Sequence, residues 1–371
     1  MLTTLAISGY RSLREVVVPL SGLTVVTGPN GAGKSSLHKA LRLLAEVGQG
    51  QLISSLATEG GLDSVLWAGP ESLAGARRGH PTQGTVRSRP VALQLGFGVD
   101  DGFGYLIDLG LPSPTGAPTA FARDPQIKRE IVFHGANMRP ATTLVTRSWS
   151  TVAARGAADP LTTVLAGHRS MLHEFADPAE HPELHQVRDQ LRSWRFYDGF
   201  RTDATAPARQ PCVGTRTPVL AADAGDLAAA VQTIREEDGT ALDRVVDDAF
   251  PGSELEVAIS DDGRFDLALQ QPGMIRPLAA AELSDGTLRF LCWSAALLTV
   301  APAPLMVLNE PETSLHPDLV PALGRLILEA SRRTQVVVVT HSAALRDSLG
   351  DEASDVALHK ELGETRIVDQ G

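Results

Sequence analysis

Gly28-Pro29-Asn30-Gly31-Ala32-Gly33-Lys34-Ser35 sits between a short apolar run, Leu23-Thr-Val-Val-Thr27, and a segment that places Leu37, Leu41, Leu44 and Ala45 on one helical face. The run reads as a strand buried on both sides. The segment reads as a helix that starts near Lys34 and is ended by Gly48 and Gly50. Strand, G-x-x-x-x-G-K-[ST] loop and helix in that order describe a phosphate cradle. The glycines let backbone N–H groups turn toward phosphate oxygens, and the helix start adds the positive end of its dipole. Lys34 is placed to bridge the two outer phosphates of a triphosphate, and the Ser35 hydroxyl to ligate Mg2+.

A second stretch, Leu305-Met-Val-Leu-Asn309-Glu310-Pro-Glu-Thr-Ser-Leu-His-Pro317, is a buried strand that delivers polar residues at its C-terminal end. That edge of an α/β sheet is where ligands bind. Glu310 is placed to polarise a water for attack on a phosphate; in isolation it would read as a carboxylate exposed at a strand end. Glu312 reads as structural, capping the turn. Val336–Val339 is another fully apolar strand, followed by Thr340-His341-Ser342. Leu283-Ser-Asp-Gly-Thr287, taken alone, is an ordinary turn and helix cap.

The composition supports a globular chain. Of 371 residues 43% are hydrophobic and 21% charged, which excludes extensive disorder. Only 5% are aromatic, so few rings are on hand to stack nucleobases. Lys+Arg is 33 against 44 Asp+Glu, and the net charge of −11 excludes a general polyanion binder. Residues 221–270 hold 13 acids and three arginines, so that stretch alone carries −10. The two cysteines, Cys212 and Cys292, form no zinc or disulfide pattern. The start of the chain lacks signal-peptide character, and prolines break the most apolar stretch, Leu291 to Leu308. The expectation is a soluble cytoplasmic protein with no membrane partner.

Leu5 and Ile7 alternate opposite Val16 and Val18, as in an antiparallel pair. Val91–Phe97, Tyr105–Leu109 and Ile131–Phe133 suggest further strands among long loops, with a turn over Pro112–Pro118. Between Pro160 and Arg201 the pattern is helical, with Leu184, Val187 and Leu191 on one face and Arg188, Arg192 and Arg195 on the other. With Trp194, Phe196, Tyr197, Phe200 and Arg201, this helix is the best candidate partner surface, able to grip a phosphate backbone. A solvated helix face anchored by aromatics is the alternative. An extended passage, Thr202–Pro218, leads to helices near 226–235, 288–298 and from Pro317.

Gly28–Ser36, Leu283–Thr287, Asn309-Glu310 and Thr340–Ser342, in that order and preceded by Ile7-Ser-Gly-Tyr-Arg-Ser12, resemble the ABC-type ATPase heads of the RecF, SMC and OLD-like group, often labelled AAA-family ATPases. The resemblance implies an α/β P-loop NTPase fold with a mixed sheet and a helical insertion. It implies lobes over 1–158 and 205–371 with the insertion at 159–204, and a cytoplasmic ATPase with ATP and Mg2+ as cofactors. It further implies nucleotide contacts from Arg11, Asn30, Gly31, Gly33, Lys34, Ser35 and Ser36, and catalytic roles for Lys34, Glu310 and the switch histidine, His341. Ser284, Gly286 and Thr287 would meet the γ-phosphate held by the other subunit of an ATP-dependent homodimer. Ser314–His316 would touch the partner subunit, unless it is a plain surface turn. Two departures stand out. Asn309 replaces the usual Asp, so Ser35 and Asn309 together bring no negative charge to Mg2+. The glutamine expected between the lobes has only Gln94 as a candidate. No heptads extend into an SMC arm, and the tail after His341 is too short for an OLD-type nuclease. Two functions follow from the resemblance: DNA clamping in repair, recombination or defence, or a regulatory nucleotide switch acting on a partner protein.

Overall fold

The computed structural model of the chain describes residues 1–79, 81–82, 92–112 and 120–368. The turn expected over Pro112–Pro118 lies outside these residues after Pro112. The chain divides into two compact units, one of Met1–Ser21, Val26–Trp194 and Asp355–Gly371, the other of Gly22–Val25 and Arg195–Ser354.

The first unit opens with β1 (Leu2–Tyr10) and β2 (Leu13–Pro19), paired antiparallel with Leu5 against Val18 and Ile7 against Val16. These are the alternating residues of the sequence pattern, and they face the core. After β3 (Leu23–Thr27), whose residues are divided between the units, the phosphate loop leads into α1 (Lys34–Gln49). Short helices α2 (Leu52–Thr58) and α3 (Leu62–Val65) follow. The sheet continues with β4 (Leu93–Val99), β5 (Phe103–Gly110), β6 (Gln126–His134), β7 (Thr143–Ser148) and β8 (Thr151–Ala154). The order is β2-β1-β4-β5-β6-β7-β8, antiparallel throughout. Helices α4 (Met171–Glu174) and α5 (Pro182–Ser193) follow.

α1 and α5 approach closely at Gly48, where a Cβ would stand 2.7 Å from Leu191 Cβ. Leu184, Val187 and Leu191 are buried, as their spacing requires. A fully buried ion pair, Glu130 with Arg147 at 2.9 Å, is the polar centre of this unit. Tyr105 OH (2.6 Å) and the Met171 N–H (2.9 Å) also donate to Glu130, so the charge is well satisfied.

In the second unit β9 (Arg195–Tyr197) is followed by β10 (Cys212–Val213), α6 (Leu227–Ala249), β11 (Glu254–Ile259), β12 (Arg264–Gln270) and β13 (Leu278–Ala279). Then come α7 (Asp285–Leu297), β14 (Leu305–Asn309), α8 (Val320–Ser331), β15 (Gln335–Val339) and α9 (Ala343–Leu349). Strands β10, β12 and β11 form a small antiparallel sheet with β13 on β12. β14 is flanked by β15 and β9, both parallel to it. The apolar runs of β14 and β15 are buried on both faces, and Met306, Leu308, Val336 and Val338 pack into the core that the helices of this unit share. The chain returns to the first unit in a hairpin of β16 (Ser354–Glu361) and β17 (Glu364–Ile367). Its two-residue turn, Leu362-Gly363, has positive φ at both positions (51° and 85°), the twist that suits tight hairpins.

One expectation is corrected here. The helix carrying Arg188 and Arg192 ends at Ser193, and Arg195 lies in β9 instead. Trp194, Tyr197 and Phe200 are core residues, each at most 3% exposed. They take part in aromatic packing such as Phe200 with Trp293, ring centroids 4.9 Å apart, and present no stacking surface. Among the described residues no helix is long and apolar enough to cross a membrane.

Candidate nucleotide site

In the first unit the phosphate loop owes its shape to glycine. Gly28 (φ 144°) has no room for a Cβ, which would stand 2.3 Å from Leu358 O in the C-terminal hairpin. Gly33 (φ 114°) is the N-cap of α1, and its Cβ would stand 2.3 Å from Thr365 Oγ1. Thr365 donates to Ala32 O at 2.7 Å, so β17 closes the loop from behind. Gly31 (φ 78°) and Asn30 are on the open side, exposed like Ser35; Ser36 is half-buried. Lys34 Nζ donates to Gly28 O (2.6 Å) and Pro29 O (3.3 Å), which holds the ammonium across the loop. No side chain caps the start of α1, so its first N–H groups suit an anion.

Arg11, also in left-handed conformation (φ 49°), donates to Glu59 Oε2 at 2.6 Å beside the Tyr10 hydroxyl at 2.9 Å. Burial would raise the Glu59 pKa, but the hydrogen bonds from Arg11 and Tyr10 and the charges of Arg11 and Lys39 bring it below its ordinary value. Glu59 therefore stays ionised and orients Arg11.

In the second unit the polar residues gather at the C-terminal ends of parallel strands. Glu310 adopts φ 49°, and its N–H donates to Val339 O at 2.7 Å, which joins the ends of β14 and β15. The structure brings Glu310 and His341 together, with His341 Nδ1 3.2 Å from Glu310 Oε1. Glu312 is buried beneath them; it accepts from Thr340 Oγ1, and its Oε1 is 3.9 Å from His341 Nδ1. It braces the turn that presents the histidine. Tyr197 on β9 pairs with Leu308 on β14, so the next residue, Asp198, is level with Asn309. Asp198, Asn309 and Glu310 line a cavity of about 560 Å³ together with Arg201, Asp285 and Arg289.

Sequence reasoning missed Asp198, because a three-residue strand carries no periodicity. Gln94, the candidate for the glutamine expected between the lobes, lies in β4 and donates to Asp108 Oδ2 (3.0 Å) across the antiparallel sheet. Ser284 is the N-cap of α7, as expected, and Gly286 lies in the first turn. The Thr287 N–H, however, already donates to Ser284 Oγ at 3.1 Å, so the cap itself engages one of the amides expected to hold a phosphate. The turn after Glu310 runs past this helix start, with Ser314 O 3.8 Å from where a Gly286 Cβ would be. Of the candidate partner face, Arg188 is bound to Asp189 and Arg201 to Asp203, and the four arginines are divided between the two units.

A family model described as "AAA domain, putative AbiEii toxin, Type IV TA system" matches residues 169–347, and a second, described as "AAA domain", matches residues 4–46. No curated protein matches. Among solved structures, an SMC head bound to the C-winged helix domain of ScpA is 14% identical with a TM-score of 0.53, over 99% of this chain and 96% of that one. An Smc head with an extended coiled coil bound to the C-terminal domain of ScpA, derived from Pyrococcus furiosus, is 12% identical with a TM-score of 0.50, over 99% and 95%. At such identities the likeness is one of fold. The fold is α/β, that of an ABC/SMC-like P-loop ATPase head.

Proposed function

We propose that this chain binds ATP with Mg2+, closes as a head-to-tail homodimer around two nucleotides and hydrolyses them slowly. The observation that carries the reading is the meeting of Glu310 and His341 at the ends of adjacent parallel strands, in a chain that also holds a complete phosphate loop. In this reading Lys34 and the α1 N-terminus hold the phosphates, and Arg11 lies beside them. Glu310 orients the attacking water, while His341 hydrogen-bonds the γ-phosphate. Ser284 and Gly286 meet the γ-phosphate of the nucleotide bound by the other copy.

The donor set fits Mg2+. Among the described residues no group of three or more His, Cys, Asp or Glu could hold a resident metal. Mg2+ is ordinarily bound through one or two protein oxygens plus the substrate's phosphates. The Ser35 hydroxyl and Asn309 amide oxygen are hard oxygen donors, and Asp198 adds the carboxylate that Asn309 lacks.

Closure acts on a partner protein in preference to DNA. The net charge of −11, the buried aromatics and the carboxylate-bound Arg188 and Arg201 all support that choice. DNA clamping in repair, recombination or defence is the second reading, and the toxin named in the matching family description favours defence within it. Mass in solution tests the dimer. Glu310→Gln should be monomeric alone and dimeric with ATP and Mg2+; a monomer in both conditions contradicts the proposal. A salt series of DNA binding with ATP separates the two loads, since a phosphate-gripping clamp loses affinity steeply with salt.

A further inference from the structure

One guanidinium in the second unit reaches most of what shapes the start of α7. Arg209 ends a short 3-10 helix (Pro207–Arg209) between β9 and β10, inside the passage Thr202–Pro218 expected to be extended, and is only 8% exposed. Its Nη1 donates to Ala280 O (3.0 Å), Ala281 O (3.1 Å) and Leu283 O (2.8 Å), the carbonyls of the turn leading to Ser284. Its Nε donates to Thr202 O (2.8 Å), and its Nη2 to Asp285 Oδ1 (2.6 Å). A planar fork with five fixed donors suits this convergence, and a lysine could not reproduce it.

Asp285 raises a problem that Arg209 resolves. It is the first residue of α7, where a carboxylate already occupies the favourable field of the helix N-terminus and repels any second anion. The Arg209 guanidinium cancels that charge at contact distance. Arg289 braces the same loop from the other side, donating to Phe200 O and Thr202 Oγ1 and also to Thr313 O beyond Glu310. Thr202 is thus held by both arginines, which ties the turn before α7 to the turn after the catalytic strand.

We propose that Arg209 is the positioning residue that makes the start of α7 receptive to a γ-phosphate presented by a second copy of the chain. It does so by fixing the Ala280–Leu283 backbone and neutralising Asp285. The inference rests on the dimer reading above and adds to it a specific requirement inside the second unit.

The test is made in full-length Glu310→Gln protein, with two readouts. One is affinity for a fluorescent ATP analogue at protein concentrations too low for dimerisation; the other is the ATP-driven monomer–dimer equilibrium. Arg209→Gln should leave the first unchanged and weaken the second by about tenfold or more, as loss of a charge-assisted hydrogen-bond set implies. Adding Asp285→Asn to Arg209→Gln should recover part of that loss, because the repulsion is then gone. Arg209→Gln dimerising like its parent, or no recovery from Asp285→Asn, overturns the proposal. Should Arg209→Gln fail to fold, Asp285→Asn alone decides: dimerisation at least as tight as the parent's supports neutralisation, and weaker dimerisation overturns it. A parent that binds the analogue but never dimerises removes the dimer reading and this inference with it.

Discussion

In the proposed function the starts of α1 and α7 are two solutions to one electrostatic problem, the presentation of a helix N-terminus to a phosphate. At α1 the backbone does the shaping. Gly28 and Gly33 take conformations and close approaches that a Cβ would block, the C-terminal hairpin closes the loop from behind, and no side chain caps the helix. At α7 side chains do the shaping. Ser284 caps the helix, and Arg209, 76 residues upstream of Asp285, holds the preceding turn. A backbone solution is rigid and local and, as proposed, belongs to the copy that binds the nucleotide. A side-chain solution, on the same proposal, can be lost or adjusted without affecting the first copy's hold on its ligand.

Substitutions that separate nucleotide binding from dimerisation sharpen the contrast. The largest effect is expected from Gly33→Ala, which combines a left-handed backbone cost of about 1–2 kcal/mol with a clash against Thr365. ATP affinity should fall by about tenfold or more, as titration calorimetry would measure. An unchanged affinity would show that the loop does not need its glycine geometry. Ser284→Ala comes next. Loss of an N-cap costs about 1 kcal/mol, so ATP-driven dimerisation should weaken by about fivefold while affinity for the nucleotide in the single copy stays constant. A fall in that affinity instead would place Ser284 in the first copy's own site. The smallest effect is expected from Asn309→Asp. It should move the Mg2+ titration of turnover to lower concentrations without abolishing activity, and only modestly, because Asp198 already lines the same cavity as Asn309. An unchanged Mg2+ profile would remove Asn309 from the metal's surroundings.

The same contrast explains what could be read in advance. Residues whose role is written in backbone geometry leave a pattern: glycines at fixed spacing before Lys34, apolar alternation in β1 and β2, and unbroken apolar runs in β14 and β15. Glu310 and His341 were each legible as candidates for that reason, since each follows such a run, but their meeting was not. Arg209 left no trace, because it binds carbonyl oxygens that every residue possesses. The hairpin behind the phosphate loop was equally silent, as was the three-residue β9, whose Arg195 falls on the same helical spacing as Arg188 and Arg192. Glu312 was legible as structural, but its partner, Thr340, became apparent only when β14 and β15 were seen side by side.

In the proposed function the loop around Lys34 and the strand edge carrying Glu310 serve one triphosphate. The most direct measurement is a structure of the Glu310→Gln protein with ATP and Mg2+. Lys34 Nζ and the residue 310 side chain should stand on opposite sides of one γ-phosphate, with the Ser284 end of α7 from a second copy against it. A nucleotide bound at the loop but remote from residue 310 would contradict it.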